Sequence, residues 1–151
     1  LYPSVREGLQ KRLEAIKNPE WVDGMVRLIS HYTDPADPHF RAHDSGDLQG
    51  KDHLRKWSAI ARQIPDVKIW LPSREIRDVK AVQRETEDWP ANLVVRLSAP
   101  MMGRTLDVKG PTSSVDAGTG HRCPAYDQNG KCGSCRACWD PTVENVDYKK
   151  H

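Results

Sequence analysis

All four cysteines of the chain lie in one short segment near its C-terminal end. Their spacing is C-x8-C-x2-C-x2-C, and none of the first 122 residues is a cysteine. Thiolates gathered this closely in a polar segment are typical ligands of soft or borderline metals. The spacing therefore indicates a metal centre or a metal-containing cofactor, with disulfides as the other use of such cysteines. The candidate ligands are Cys123, Cys132, Cys135 and Cys138.

The spacing of the last three cysteines favours an iron–sulfur cluster over zinc. A structural zinc ion is usually bound by two separated C-x2-C pairs, whereas these three cysteines follow one another at two-residue intervals. A single ion would bend the chain sharply, while a cubane offers a separate iron to each thiolate. We expect one [4Fe-4S] cluster completed by Cys123, with zinc as the alternative and disulfides or free thiols third.

Length and composition indicate one globular domain over residues 1–151, with a metal-binding loop at 121–139. Hydrophobic residues make up 37% and charged residues 29% of the chain. No apolar run approaches membrane-spanning length, and no signal peptide is visible. The net charge of +2 is too small to indicate nucleic-acid binding. Three basic residues beside the cysteines could offset the charge of a cluster: Arg122, Lys131 and Arg136.

The rest of the chain alternates between helix and strand patterns. We expect helices at about 4–16, 20–30 and 50–64, a short one around Ile76 and Val79, and strands at 40–43, 67–71, 93–97 and 112–115. The first helix has an apolar stripe of Val5, Leu9, Leu13 and Ile16. The alternation predicts an α/β fold with a small parallel sheet of about four strands and crossover helices. Two N-terminal helices precede the sheet, and a C-terminal cysteine-rich metal loop follows it.

A second polar set follows the predicted strands, where ligands bind in parallel α/β sheets. The turn Asp44-Ser-Gly-Asp47 matches no metal motif, and we interpret it as backbone capping, with Gly46 at positive φ and Asp47 capping the next helix. Arg74 and Glu75 are interpreted as a surface ion pair. The competing hypothesis is an enzyme pocket lined by His43, Asp44, Asp47, Arg74 and Glu75.

Three motifs together resemble a known family. They are residues 39–49 (HFRAHDSGDLQ), residues 70–75 (WLPSRE) and the cysteine segment from Cys123 to Trp139. The chain resembles bacteriophage-encoded proteins described as gene product 88, and the resemblance covers nearly its whole length. It implies a viral origin, in a virus of bacteria, and it implies no activity.

The resemblance also implies an expectation about the start of the chain. Members of that family usually begin with a further segment that carries its own cysteines, and we expect this chain to start where that segment would end. The strand–helix alternation and the Gly-Asp turn also resemble a partial radical S-adenosylmethionine barrel. Such enzymes use a C-x3-C-x2-C run that leaves one iron open, and this sequence lacks that run.

These observations lead to three hypotheses. The first is a viral iron–sulfur protein that transfers electrons, senses redox state or uses its cluster structurally. It would act in the cytoplasm of the infected bacterial host, with a host or viral redox partner and no membrane. The second is an enzyme, radical-generating or hydrolytic. The third is a zinc-stapled structural or interaction domain.

Overall fold

The alternating pattern of the sequence forms one parallel sheet with helices against it. The computed structural model describes residues 3–43 and 46–150. Its strands follow the order β1-β2-β3-β4-β6-β5, every pairing is parallel, and the sheet curls into a half-barrel. The strands are β1 (His39–Arg41), β2 (Lys68–Ser73), β3 (Leu93–Ser98), β4 (Thr112–Val115), β5 (His121–Arg122) and β6 (Asn145–Tyr148).

Four α-helices accompany the sheet in the described part of the chain. They are α1 (Pro3–Ala15), α2 (Trp21–Tyr32), α3 (Lys51–Gln63) and α4 (Ile76–Glu85). Helices α3 and α4 each connect one parallel strand to the next, as the crossover rule requires. The α/β class and the parallel sheet are therefore confirmed, and the four expected strands lie within two residues of their expected ends.

The expected strand count is wrong, because β5 and β6 were not foreseen. Strand β5 has only two residues, and β6 reads Asn-Val-Asp-Tyr, so neither carries an apolar run that periodicity could detect. Pairing decides their conformation instead, since β6 lies between β4 and β5 and hydrogen-bonds to both. The cysteine segment consequently connects two strands of the sheet. It is not a loop beyond the last strand.

The two faces of the sheet have different coverings. Ile69, Leu71 and Val95 point to the helix face, where they join the main apolar core with residues of α3 and α4. Each such buried side chain contributes about 1.5–3 kcal/mol to folding by leaving water. Trp70 and Val146 belong to a second, smaller core on the opposite face. We call that opposite face the cysteine face, because the cysteine segment covers it.

Helix α1 is attached more loosely than the other helices. Its described residues include none that are buried, and Val5, Leu9 and Leu13 are 48%, 39% and 36% exposed. The expected apolar stripe is therefore only partly covered. By contrast, α3 buries six residues, among them Leu54 and Ile60. The sheet is thus held mainly by α3 and α4, with α2 packed against α3.

Candidate metal centre

The cysteine segment folds back onto the sheet through two short 3-10 helices. The first spans Pro124–Gln128 and the second Ala137–Trp139. Cys123 directly follows β5, and its amide donates to the carbonyl of Asp147 in β6, 2.9 Å away. The second 3-10 helix contacts β2 and β3 in the middle of the sheet. Both ends of the segment are therefore anchored on secondary structure.

The turn between the two 3-10 helices brings the closely spaced cysteines together. The amide of Cys135 donates to the carbonyl of Cys132 at 3.0 Å. Gly133 within this turn has φ of +56°, a conformation that side chains disfavour. A Cβ on Gly133 would also lie 2.8 Å from the side-chain amide of Gln128, which would have to move aside. The glycine thus allows the turn that separates two of the candidate ligands.

All four cysteines line one small cavity on the cysteine face. His121 lines it as well, and its Nε2 lies 3.3 Å from Sγ of Cys135. Within the described residues, however, no group of three or more His, Cys, Asp or Glu side chains is arranged to hold a metal ion. The structure therefore brings the predicted ligands to one place as free thiols, without a closed coordination shell.

Cys138 is the most enclosed of the four cysteines. It is only 7% exposed, and its Sγ lies 3.2 Å from the hydroxyl of Tyr148. Burial raises the pKa of this thiol from its ordinary 9.0 to about 11, and the Tyr148 hydrogen bond opposes that shift only in part. Burial likewise raises the pKa of Cys123. Both groups are therefore neutral thiols at physiological pH unless a metal displaces their protons.

Arg96 anchors the cysteine segment to the sheet, a role that its local sequence did not predict. Its side chain is fully buried at the centre of β3, on the cysteine face. Its guanidinium nitrogens make five hydrogen bonds, all to backbone carbonyls, over distances from 2.8 to 3.4 Å. The accepting carbonyls are those of Thr112, Ala137, Cys138, Asp140 and Val143. A lone arginine in the apolar run Leu-Val-Val-Arg-Leu was the available sequence signal, because arginine is rarely fully buried.

Trp139 packs at the junction between the cysteine segment and the first strands. Its indole Nε1 donates to the carbonyl of Phe40 at 2.8 Å. Its ring meets that of Trp70 edge to face, with centroids 5.3 Å apart. Trp139 also lines the cysteine cavity. The residue therefore both packs the junction and covers one side of the candidate centre.

Of the three basic residues expected beside the ligands, Arg136 lies against the cysteine segment, and its bond to Asp37 and, to a smaller extent, the nearby Cys132 and Cys135 raise its pKa. Arg136 forms an ion pair with Asp37 and donates to the carbonyls of Gly133 and Cys135. Arg122 and Lys131 have exposed side chains. The segment also contacts a fully buried positive charge, that of Arg96, whose pKa burial lowers and the neighbouring Tyr148, Cys138 and Asp140 raise.

The described residues of the second predicted set do not line one cavity together. Gly46 has φ of +87°, as expected, but Asp44 lies outside the described residues. Asp47 does not cap the next helix. Its carboxylate accepts hydrogen bonds from the amides of Leu48 and Arg74 and from the Ser73 hydroxyl, at 2.6–2.7 Å. The carboxylate thus links the turn to the end of β2, while Gly50 occupies the N-cap position of α3.

Arg74 and Glu75 differ from the expectation as well. The described side chains include no ion pair between these two residues. Glu75 instead occupies the position before α4, and its amide donates to Oγ of Ser73 at 3.0 Å. Neither residue lines the cavity that holds His43 and Asp47. The four predicted pocket residues that the structure describes are therefore split between a cavity wall and a strand-to-helix turn.

None of the helices in the described part of the chain is both long and apolar enough to cross a bilayer.

Comparison with known proteins identifies the family of this chain. No curated protein and no solved structure matches the chain. A family model described as "Gene product 88" matches residues 1–141, a range that includes all four cysteines. The chain belongs to the Gene product 88 family.

Proposed function

We propose that this chain is a bacteriophage iron–sulfur protein that binds one [4Fe-4S] cluster through Cys123, Cys132, Cys135 and Cys138. When bound, the cluster supplies one-electron redox chemistry or a structural crosslink. The protein would work in the cytoplasm of the infected host, as an electron carrier or redox sensor with a host or viral partner. Four protein thiolates would ligate all four irons.

The observation that carries the proposal is the convergence of four thiols on one cavity. Cys123 is nine residues away from the next cysteine in the chain, yet its position after β5 brings it to the same cavity as the others. Cysteines that serve only as packing residues need not line the same cavity. Thiolate sulfur is the donor that iron–sulfur clusters require, so the donor set fits the proposed group.

The electrostatics of the site support the same group. A cluster with four thiolates is anionic, and an anion in a partly buried site is stabilised by nearby positive charge. Arg96 supplies a fully buried guanidinium next to the backbone of Cys138. In the described part of the chain all of its hydrogen bonds go to carbonyls and none to a carboxylate. A fixed positive charge beneath the cysteine segment would favour an anionic ligand there.

The chain's own residues would orient and shield the cluster. The 3-10 helix that carries Cys138 is fixed to the sheet, and the turn with Gly133 sets the spacing of Cys132 and Cys135. Trp139 covers one side of the cavity. Exclusion of water by such side chains is one of the means by which proteins adjust the reduction potential of a cluster.

Metal analysis of protein purified without oxygen tests the proposal. We expect about four irons and four sulfides per chain, together with a brown colour. The variant Cys132→Ser should lose the iron, whereas Ser134→Ala, in the same turn and exposed to solvent, should keep it. One equivalent of zinc in colourless protein, made with sufficient iron, would favour the zinc-stapled domain and overturn the iron–sulfur assignment.

A further inference from the structure

We propose that the chain has a second binding site, separate from the cysteines, in the cavity between the first three helices. The site takes a small amphiphile with an apolar, ring-sized body and a hydrogen-bond-donating head, an alcohol or an amine, without an acidic group. The cavity has a volume of about 420 Å³, within the range of small-molecule sites. It lies at the carboxyl end of β1, the edge where ligands bind in parallel α/β sheets.

The walls of the cavity define the body of the ligand. Helix α1 contributes Leu9 and Leu13, which remain more than a third exposed. On the other side, Trp21 and Trp57 meet edge to face with ring centroids 5.7 Å apart. Flat rings favour this arrangement, so an aromatic body would extend the existing cluster and also cover the partly exposed leucines.

His43 defines the position of the ligand's head. It lines the cavity, and among the described residues neither of its buried ring nitrogens has a partner in good hydrogen-bonding geometry, although the backbone of Pro72 is close enough to act on its pKa. A neutral imidazole has one donor and one acceptor, and burying both unpaired is unfavourable. Its φ of +56° is also uncommon outside glycine, a kind of strain that collects at functional sites. A hydroxyl or amino group reaching His43 would complete its hydrogen bonding.

The neighbouring groups explain why the head should donate and should not be acidic. Asp47 lines the same cavity, and three protein donors hold its carboxylate in place. A carboxylate has about four acceptor positions, so one remains for a ligand donor. An acidic head would be repelled by this negative charge. Arg12 is the basic residue among the described lining side chains. It is exposed, so solvent screens its attraction for an acidic head.

His53 completes the inner wall without adding charge. Its Nδ1 faces the amide N–H of Gln49 and its Nε2 faces the indole N–H of Trp57, each at 3.1 Å. A neutral His53 can accept only one of these two N–H groups, and protonation would place an N–H against both. Burial agrees with this geometry, because it lowers the pKa of His53 to about 4. The inner end of the cavity therefore has net negative charge near neutral pH.

This cavity is independent of the proposed cluster. Its lining residues come from α1, α2, α3 and the segment after β1, on the helix side of the molecule. The cysteine cavity lies on the opposite face of the sheet. Loss of one site should therefore leave the other intact, and the two assignments can fail separately.

Three ligands with the same indole body test the inference by calorimetric titration of the wild-type protein. We expect tryptophol and tryptamine to bind saturably and to shift the NMR signals of the His43 ring. Indole-3-acetate, which differs in its acidic head, should bind at least about tenfold more weakly. Absence of saturable binding by both tryptophol and tryptamine, or equally tight binding of the acetate, would overturn the inference.

A pair of variants on α1 locates the binding. Leu13→Trp fills the cavity from its partly exposed wall and should weaken tryptophol binding at least about tenfold. Val5→Trp introduces the same side chain on the same helix, at an exposed position outside the cavity, and should bind as the wild type does. Undiminished binding by folded Leu13→Trp would show that the ligand lies elsewhere.

Discussion

Nη2 of Arg96 donates to the carbonyl of Ala137, 2.9 Å away, and joins the centre of the sheet to the 3-10 helix that carries Cys138. The same guanidinium also donates to the carbonyls of Asp140 and Val143, which follow that helix, so one side chain fixes the local path of the chain there. Carbonyl groups in a buried 3-10 turn need donors, and the planar guanidinium supplies five in fixed directions. Arg96 therefore acts as a positioning residue for the candidate metal centre.

Replacing Arg96 should destabilise the protein and disturb metal binding. Arg96→Met leaves several buried carbonyls without a donor, so we expect a loss of at least about 3 kcal/mol in the free energy of unfolding. Arg96→Lys, which retains the charge but has only three donors, should lie between Met and wild type. Urea denaturation measures both, and iron content should follow the same order.

Arg62→Met is the matched control for that experiment. Arg62 also donates to a backbone carbonyl, that of Asp88, but from an exposed side chain. Its replacement should cost no more than about 0.5 kcal/mol. Equal destabilisation by the two methionine variants would contradict the role assigned to Arg96.

The four cysteines should not be equivalent as ligands. Cys123 is joined to the others by a longer, glycine-containing connection, whereas Cys135 lies at the centre of the tight turn. We therefore expect Cys123→Ala to cause the mildest loss, with a cluster still assembled, in a three-iron form. Cys135→Ala should abolish assembly. Iron analysis and paramagnetic resonance compare the two variants, and equal iron contents would contradict this ranking.

The metal-free protein should lose stability at alkaline pH because of Cys138. Its pKa rises from 9.0 to about 11 on folding, so the folded state favours the neutral thiol. The stabilisation is fully present below pH 9 and is lost as the pH rises toward 11, because the unfolded chain ionises first. Urea midpoints measured across that window should fall more steeply for wild type than for Cys138→Ala. Parallel slopes would show that another group causes the decline.

S-adenosylmethionine should leave the reduced cluster unchanged. If four protein thiolates ligate the cluster, no iron remains open to chelate the amino and carboxylate groups of that molecule. A catalytic metal site needs such an open position. We expect the paramagnetic signal of the reduced protein to be the same with and without the compound. A shifted signal, or formation of 5′-deoxyadenosine, would support the radical-enzyme hypothesis instead.

The sequence by itself determined the α/β class, the four helices and the first four strands. These elements carry their own local signals, such as the apolar positions Leu54, Trp57 and Ile60 at helical spacing in α3, and the apolar run from Leu93 to Leu97. The cysteine spacing likewise identified the candidate ligands, because four thiols within 16 residues are conspicuous without any coordinates.

Only the tertiary structure decided where those thiols lie and what holds them. Strands β5 and β6 have too few apolar residues for a local signal; β6 forms by pairing with β4, and β5 forms by pairing with β6. Arg96 shows its role only when β3 and the cysteine segment meet, 41 to 47 residues apart in the chain. Asp47 likewise bonds to the end of β2, and not to the helix that follows it. Such contacts depend on which distant segments become neighbours, and no local pattern encodes that.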